Sequence, residues 1–281
     1  MLQCYLIAND CYRAGRTINP RGVMVHSTGA NNPKLARYVQ PVEGQANYNR
    51  IIKEIGTNKN HNDWNNPGLN VCTHAFIGKK ANGAVDAVQT LPWNRRGWHA
   101  GTGTSGASAN DSYISFEICE DNLKDASYFS KAYKKAVELT AMLCKTYRLN
   151  PLADGVVICH SEGYQRGIAS NHGDVMHWFP KFGKSMDTFR KDVAAALNSG
   201  GSGSSGGSGG SGGQDVNDYT VRITVTDLRI RSGPGTNTAI NGIIPPGVYT
   251  IISEKQGPGA KKWGELKSGA GYISLDYARK V

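Results

Sequence analysis

The chain has 281 residues, 39% of them hydrophobic, and a formal net charge of +10. That length holds one large domain or two smaller ones, no apolar run reaches the ~20 residues of a membrane span, and no zinc-finger or RNP motif marks a nucleic-acid binder. Membrane insertion and nucleic-acid binding are therefore not expected. The charge is spread, with 23 basic against 16 acidic residues before a Gly/Ser stretch and nine against six after it. Such a surplus suits an anionic polymeric partner or a solubilising surface equally well.

The opening segment, MLQCYLIANDCYRAGR, lacks the basic n-region, long h-region and cleavage site of an export signal, so none is expected. GVMVHSTGA then reads as a strand ending at a turn. NNPKLARYV reads as the start of a helix, with Asn32 as N-cap and Pro33 in the first turn. NVCTHAFIG and SYISFEIC read as further strands. A long helix follows, capped by Asp125, with Phe129, Tyr133, Val137, Ala141 and Cys144 at 3.6-residue spacing. GVVICH is an apolar strand and SMDTFRKDVAAALN a closing helix. Interleaved strands and helices of this kind predict an α/β domain with a central mixed β-sheet flanked by helices, and residues 1–197 suffice for its core.

Residues 198–214, NSGGSGSSGGSGGSGGQ, cannot bury a core and read as a flexible tether, natural or engineered. Residues 215–281 carry short β-type runs punctuated by Gly and Pro and no helical pattern, which predicts a small all-β barrel. Six cysteines form no CxxC pair. In a chain of this length without an export signal they are expected to be reduced, with Cys119 and Cys159 packed in apolar strands.

In SYISFEICED, Ile114, Phe116 and Ile118 share one face and Glu117 lies on the other. A carboxylate in so apolar a strand must be paired, protonated or useful. Arg95 or Arg96 would be the structural partner. His26 and His160 end the apolar runs VMVH and VVICH, where α/β proteins place functional side chains. A catalytic zinc takes three protein ligands plus water. Glu162, His172, Asp174 and His177 in HSEGYQRGIASNHGDVMHW could each supply the third, and spacing alone leaves the choice open.

Taken in order, VMVHSTGA, CTHAFIG, GWHAGTG, NDSYISFEICED and VVICHSEG resemble the type-2 N-acetylmuramoyl-L-alanine amidases, a family that includes phage endolysins and resembles peptidoglycan recognition proteins. The resemblance covers roughly residues 1–197. It implies that His26 and His160 bind Zn²⁺ and that Asp174 in HGDV is the third ligand. HGDV departs from the family's K-x-(C/D)-P setting: His172 stands for the Lys, Val175 for the Pro, and the spacing from His160 is long, so His177 stays a rival. The resemblance further implies that Glu117 is the general base. It sets His99 near the substrate or the oxyanion, a role His172 could share, and Trp98, with Trp64 and Trp93, along the cleft. His74 falls in a family motif but suits a buried structural role equally; His61 lies in a polar loop.

The tail resembles a bacterial SH3-like (SH3b) domain through LRIRSGPGT, GIIPPGVYTI and WGELKSGAGYISLDY. That resemblance implies binding of cell-wall peptides, with Trp263, Tyr272 and Tyr277 as candidate contacts. Together the two resemblances imply a zinc peptidoglycan amidase with a wall-binding module. It is expected to be a monomer, made in a bacterial host's cytoplasm without a signal peptide and acting on the wall after release, as a phage endolysin does.

Overall fold

The computed structural model describes residues 1–199, 219–238, 240–244, 246–267 and 271–281. The chain divides into two units, Met1–Gly200 and Gly201–Val281. In the first, β1 (Leu2–Gln3), the short helix α1 (Asp10–Arg13), β2 (Gly22–Asn31) and α2 (Tyr48–Ile55) precede the hairpin β3 (Ala75–Lys79) and β4 (Val85–Gln89). Then come β5 (Tyr113–Glu120), α3 (Ala126–Tyr147), β6 (Val157–Cys159), α4 (His160–Gln165) and α5 (Met186–Ser199).

The six strands form one sheet in the order β1-β4-β3-β5-β2-β6. β2 lies parallel to β5 and β6, and β3 parallel to β5, while β3 and β4 are antiparallel. This is the expected mixed sheet. Side chains alternate across it. Val23, Val25, Ile114, Phe116 and Ile118 face a core completed by α3, the segment around Trp178 and α5. Phe76, Val88 and Cys119 face the other way, against Ile51 and Ile55 of α2. α3 begins as expected, Asp125 accepting the Tyr128 N–H at 3.0 Å, and all five residues of its predicted stripe are buried.

The helix predicted from Asn32 is a correction. Only a single 3₁₀ turn, Leu35–Arg37, forms, with Lys34 at its N-cap. Asn32 instead accepts the Lys34 N–H, and the Pro33 carbonyl accepts the Lys79 N–H at 2.6 Å, so this segment is pinned to β3. The close approach requires Gly78: a Cβ there would lie 2.7 Å from the Pro33 oxygen and 2.9 Å from Cys119 Sγ. Gly78→Ala is accordingly expected to destabilise the domain by ~1–3 kcal/mol through overpacking, read as a shift in the urea midpoint at unchanged slope.

The thiol expectation also needs correcting. Cys11 and Cys72 form a disulfide, while Cys4, Cys119, Cys144 and Cys159 are free and buried. The buried Asn9 side chain brings the pair together. It caps α1 by accepting the Cys11 N–H and donates to the Trp64 and Val71 carbonyls, docking α1 on the 64–72 segment.

Asn198 and Ser199 complete α5, which moves the start of the predicted tether; its remainder to residue 214 lies outside the described residues. The second unit contains β7 (Tyr219–Ile223), β8 (Arg229–Arg231), β9 (Ile240–Ile243), β10 (Gly247–Gly257), β11 (Ala260–Leu266), β12 (Tyr272–Ser274) and β13 (Ala278–Lys280). They form an all-antiparallel sheet in the order β13-β7-β10-β11-β12-β8-β9. Val221, Ile223, Leu228, Ile244, Ile251, Leu266 and Ile273 make its core. Among the described residues, no helix is long and apolar enough to cross a membrane.

Candidate active site

The parallel register sets His26 directly beside Glu117. Both point to the face opposite α3, because their neighbours Val25, Phe116 and Ile118 face it. The β2–β6 ladder stops at the pair Val25–Cys159, and the chain turns at once into α4, so His160 emerges beside His26. That corner is fixed from behind. Glu162 accepts the Cys159 N–H and is gripped by both terminal nitrogens of Arg190, which also donates to the Val157 carbonyl. Glu162, a candidate ligand by position, is thus occupied as a cap.

The third side chain at the corner is Asp174. Its Oδ2 lies 3.1 Å from His26 Nδ1 and its Oδ1 3.6 Å from His160 Nδ1, and the two Nδ1 atoms are 3.1 Å apart. The buried Val175 and Trp178 hold the turn that carries it. His177, on the far side of the same turn, pairs with Glu120 at 2.9 Å. Among the described residues, His26, His160 and Asp174 form the cluster able to hold a metal ion.

Two imidazole nitrogens and a carboxylate suit a zinc-sized cation. With metal–ligand bonds of ~2.0–2.1 Å, tetrahedral ligands sit ~3.3–3.4 Å apart, close to the separations found. The electrostatics fit as well. Burial and the positive charge of its neighbours push His160 down to about 4, so it stays neutral with a lone pair to give. Burial raises the Asp174 pKa, but the His26 hydrogen bond and charge outweigh it and hold Asp174 below the usual carboxylate range. His26 is pulled down by burial and raised overall by Asp174.

Glu117 is 9% exposed, and its Oε2 is buried without a hydrogen-bond partner. Arg96 pairs with Asp111, and Arg95 stacks over Tyr12, so neither supplies the structural partner considered for it. Burial above all, then repulsion from Asp174 and Glu120 against the pull of His26, raises its pKa to about 7. An unpaired carboxylate of that basicity beside a cation site is equipped to accept a proton from water.

The surrounding residues separate cleanly. His99 Nδ1 lies 3.1 Å from His26 Nε2, and the exposed His172 puts Nδ1 3.3 Å from His160 Nε2, with Ser170 Oγ between them. His74 is structural: it accepts the Ser115 N–H, donates to the Arg95 carbonyl at 2.7 Å, and burial lowers its pKa to about 4. Trp64 packs edge-on against Phe76, and Trp93 stacks on His74. Trp98 is half-buried under Arg96, and His61 is exposed. Ser170 and Asn110, whose amide oxygen accepts the His99 and Ala100 N–H groups, were not marked by the sequence pattern.

In the second unit Trp263 is 2% exposed and its indole N–H donates to the Gly257 carbonyl. Of the three aromatic candidates, Trp263 is thus the one that packs in the core, with only an edge of its ring left to the surface. Tyr277 is 57% exposed and, with Asp227, Arg229 and an edge of Trp263, lines a cavity of about 280 Å³. Tyr272 is half-buried, its hydroxyl taking a hydrogen bond from Lys255.

A family model described as N-acetylmuramoyl-L-alanine amidase (Amidase_2) matches residues 16–176, more than half the chain and a segment containing His26, Glu117, His160 and Asp174. The chain belongs to this amidase family. The N-acetylmuramoyl-L-alanine amidase CwlA of a Bacillus species is 40% identical over 90 residues, 30% of this chain and 35% of that relative, so the match spans about a third of the relative's length. Solved structures similar to this amidase include the catalytic domain of XlyA (21% identity, 68% of this chain and 97% of that one, TM-score 0.46). A mutant endolysin from Bacillus subtilis (22%, 68% and 97%, 0.44) and the Staphylococcus aureus hydrolase AmiA in complex with its ligand (18%, 64% and 73%, 0.42) are also similar.

Proposed function

We propose that this chain is a zinc-dependent peptidoglycan hydrolase cleaving the amide between N-acetylmuramoyl and the L-alanine of the stem peptide. The observation that carries this reading is the convergence of His26, His160 and Asp174 beside the unpaired carboxylate of Glu117, all inside the segment matched by the amidase family. Bound zinc would supply Lewis acidity at the amide carbonyl and lower the pKa of a coordinated water. Glu117 takes the proton of the attacking water and passes it to the departing amine of L-alanine. His172, exposed at the rim beside His160, is the side chain assigned here to the developing oxyanion, and Trp98 offers a ring to the sugar or peptide.

In this reading residues 215–281 are an SH3-like wall-binding domain. Its contact surface centres on Tyr277 and the cavity beside it, with Tyr272 nearby. The Gly/Ser tether that follows α5 keeps the catalytic domain at high effective concentration once the wall-binding domain binds. Release onto the wall at lysis, as by a phage endolysin, accords with this architecture.

The deciding experiment is mass spectrometry of soluble products from purified peptidoglycan, with and without a chelator. Stem peptides beginning with L-alanine, lost on chelation and restored by zinc, are expected. Peptides beginning elsewhere would make the protein a stem peptidase, and no release from folded, zinc-loaded protein would make it a recognition protein. The third ligand is tested separately. Asp174→Ala is expected to lose stoichiometric zinc, while His177→Ala keeps it; the reverse pattern in elemental analysis would exchange their roles.

A further inference from the structure

The two imidazoles at the metal corner differ in what backs them. His160 turns its outer nitrogen, Nε2, toward the rim, where Ser170 Oγ at 3.4 Å and the exposed His172 at 3.3 Å share it. His26 turns its outer nitrogen inward, to one partner: His99 Nδ1 at 3.1 Å. The rings meet edge to face, with centroids 5.1 Å apart and an interplanar angle of 74°, which lets an N–H of one reach the in-plane lone pair of the other.

His99 is itself held in place. Its backbone N–H donates to Asn110 Oδ1 at 2.7 Å, and Asn110 is fully buried. The preceding residue, Trp98, exchanges a pair of 3.1 Å backbone hydrogen bonds with Cys72. The other ring nitrogen of His99, Nε2, is buried near the Tyr113 backbone without a hydrogen bond of full geometry. Both ring nitrogens therefore face the interior, and neither is directed at a substrate above the corner.

We infer that His99 is a positioning residue: by accepting the Nε2–H of His26 it fixes the tautomer in which His26 Nδ1 carries the lone pair directed at Asp174 and His160. Metal-bound histidines commonly donate their far N–H to a carboxylate or carbonyl, and loss of such a partner costs ~10–100-fold in metal affinity. Here a neutral imidazole fills that place. The inference rests on the proposed zinc site. It differs from a substrate-contact role for His99 in where the effect of substitution falls.

The test is competition for zinc against a chromophoric chelator at fixed pH, with wild type, His99→Ala, His99→Asn and His172→Ala. Far-UV circular dichroism and melting temperature confirm that each is folded. His99→Ala is expected to bind zinc ~10–100-fold more weakly. His99→Asn, whose amide oxygen falls near the Nδ1 position, should recover most of that loss. His172→Ala should change affinity less, because Ser170 remains. With zinc in excess, kcat of His99→Asn should approach wild type at unchanged KM. Unchanged zinc affinity in a folded His99→Ala protein whose KM rises would overturn the inference and return His99 to substrate contact. Failure of wild type itself to bind zinc would overturn the site reading instead.

Discussion

Glu117→Gln is expected to lower the rate of peptidoglycan hydrolysis by about 10²- to 10⁴-fold, the range lost with a general acid–base group, while zinc content and melting temperature are not reduced. The two halves of this expectation have one cause. The carboxylate is buried with an oxygen that no protein group satisfies, and nearby Asp174 and Glu120 repel its charge. The fold gains nothing from that arrangement, so a neutral side chain of the same shape relieves a cost while removing the base. Near-normal hydrolysis by the variant would take Glu117 out of the reaction. A lowered melting temperature with activity lost would mean that its carboxylate is a structural partner.

Opening the Cys11–Cys72 bond is the second large effect. The bond closes a loop with a sequence separation of 61, for which chain entropy corresponds to about 4 kcal/mol. For a domain of this size, each 1 kcal/mol moves the melting temperature by roughly 2–4 °C. Cys11→Ser, or addition of reductant, should therefore lower the melting temperature of the catalytic domain by roughly 8–16 °C. Cys11 is the better residue to replace, since it lies on the half-buried α1 whereas Cys72 is fully buried. Equal melting curves with and without reductant would show that the two sulfurs are not joined in solution.

Elements governed by local periodicity could be read in the sequence. The alternation of Ile114, Phe116 and Ile118 gave β5 and the face of Glu117, and the stripe from Phe129 to Cys144 gave α3 with its Asp125 cap. His26 and His160 were visible because each closes an apolar run. What sequence left open depends on tertiary partners. Asp174 and His177 are three residues apart, and only the turn anchored by Val175 and Trp178 sends one to the corner and the other to Glu120. Glu162 looked like a ligand until Arg190, from α5, claimed it. Asn32 has the chemistry of a helix cap, yet docking of Pro33 on β3 overrides that propensity. The disulfide was hidden for the same reason, since Asn9 and not cysteine spacing brings its halves together.

The ladders around β2 govern the order in which the catalytic domain assembles. β2 is made early, but Val25 must pair with Phe116 and with Cys159, which follow much later in the chain. α3 can form locally within microseconds; the corner where His26 meets His160 must await closure of these long loops, the slow part of folding for such topologies. Until then the stretch Val23–Val25 presents bare strand edges, the kind of surface that drives misassociation. With the proposed zinc site, recovery of zinc binding during refolding is thus expected to trail recovery of helical signal. Any fragment that stops before Val157 will be inert however well its helices form.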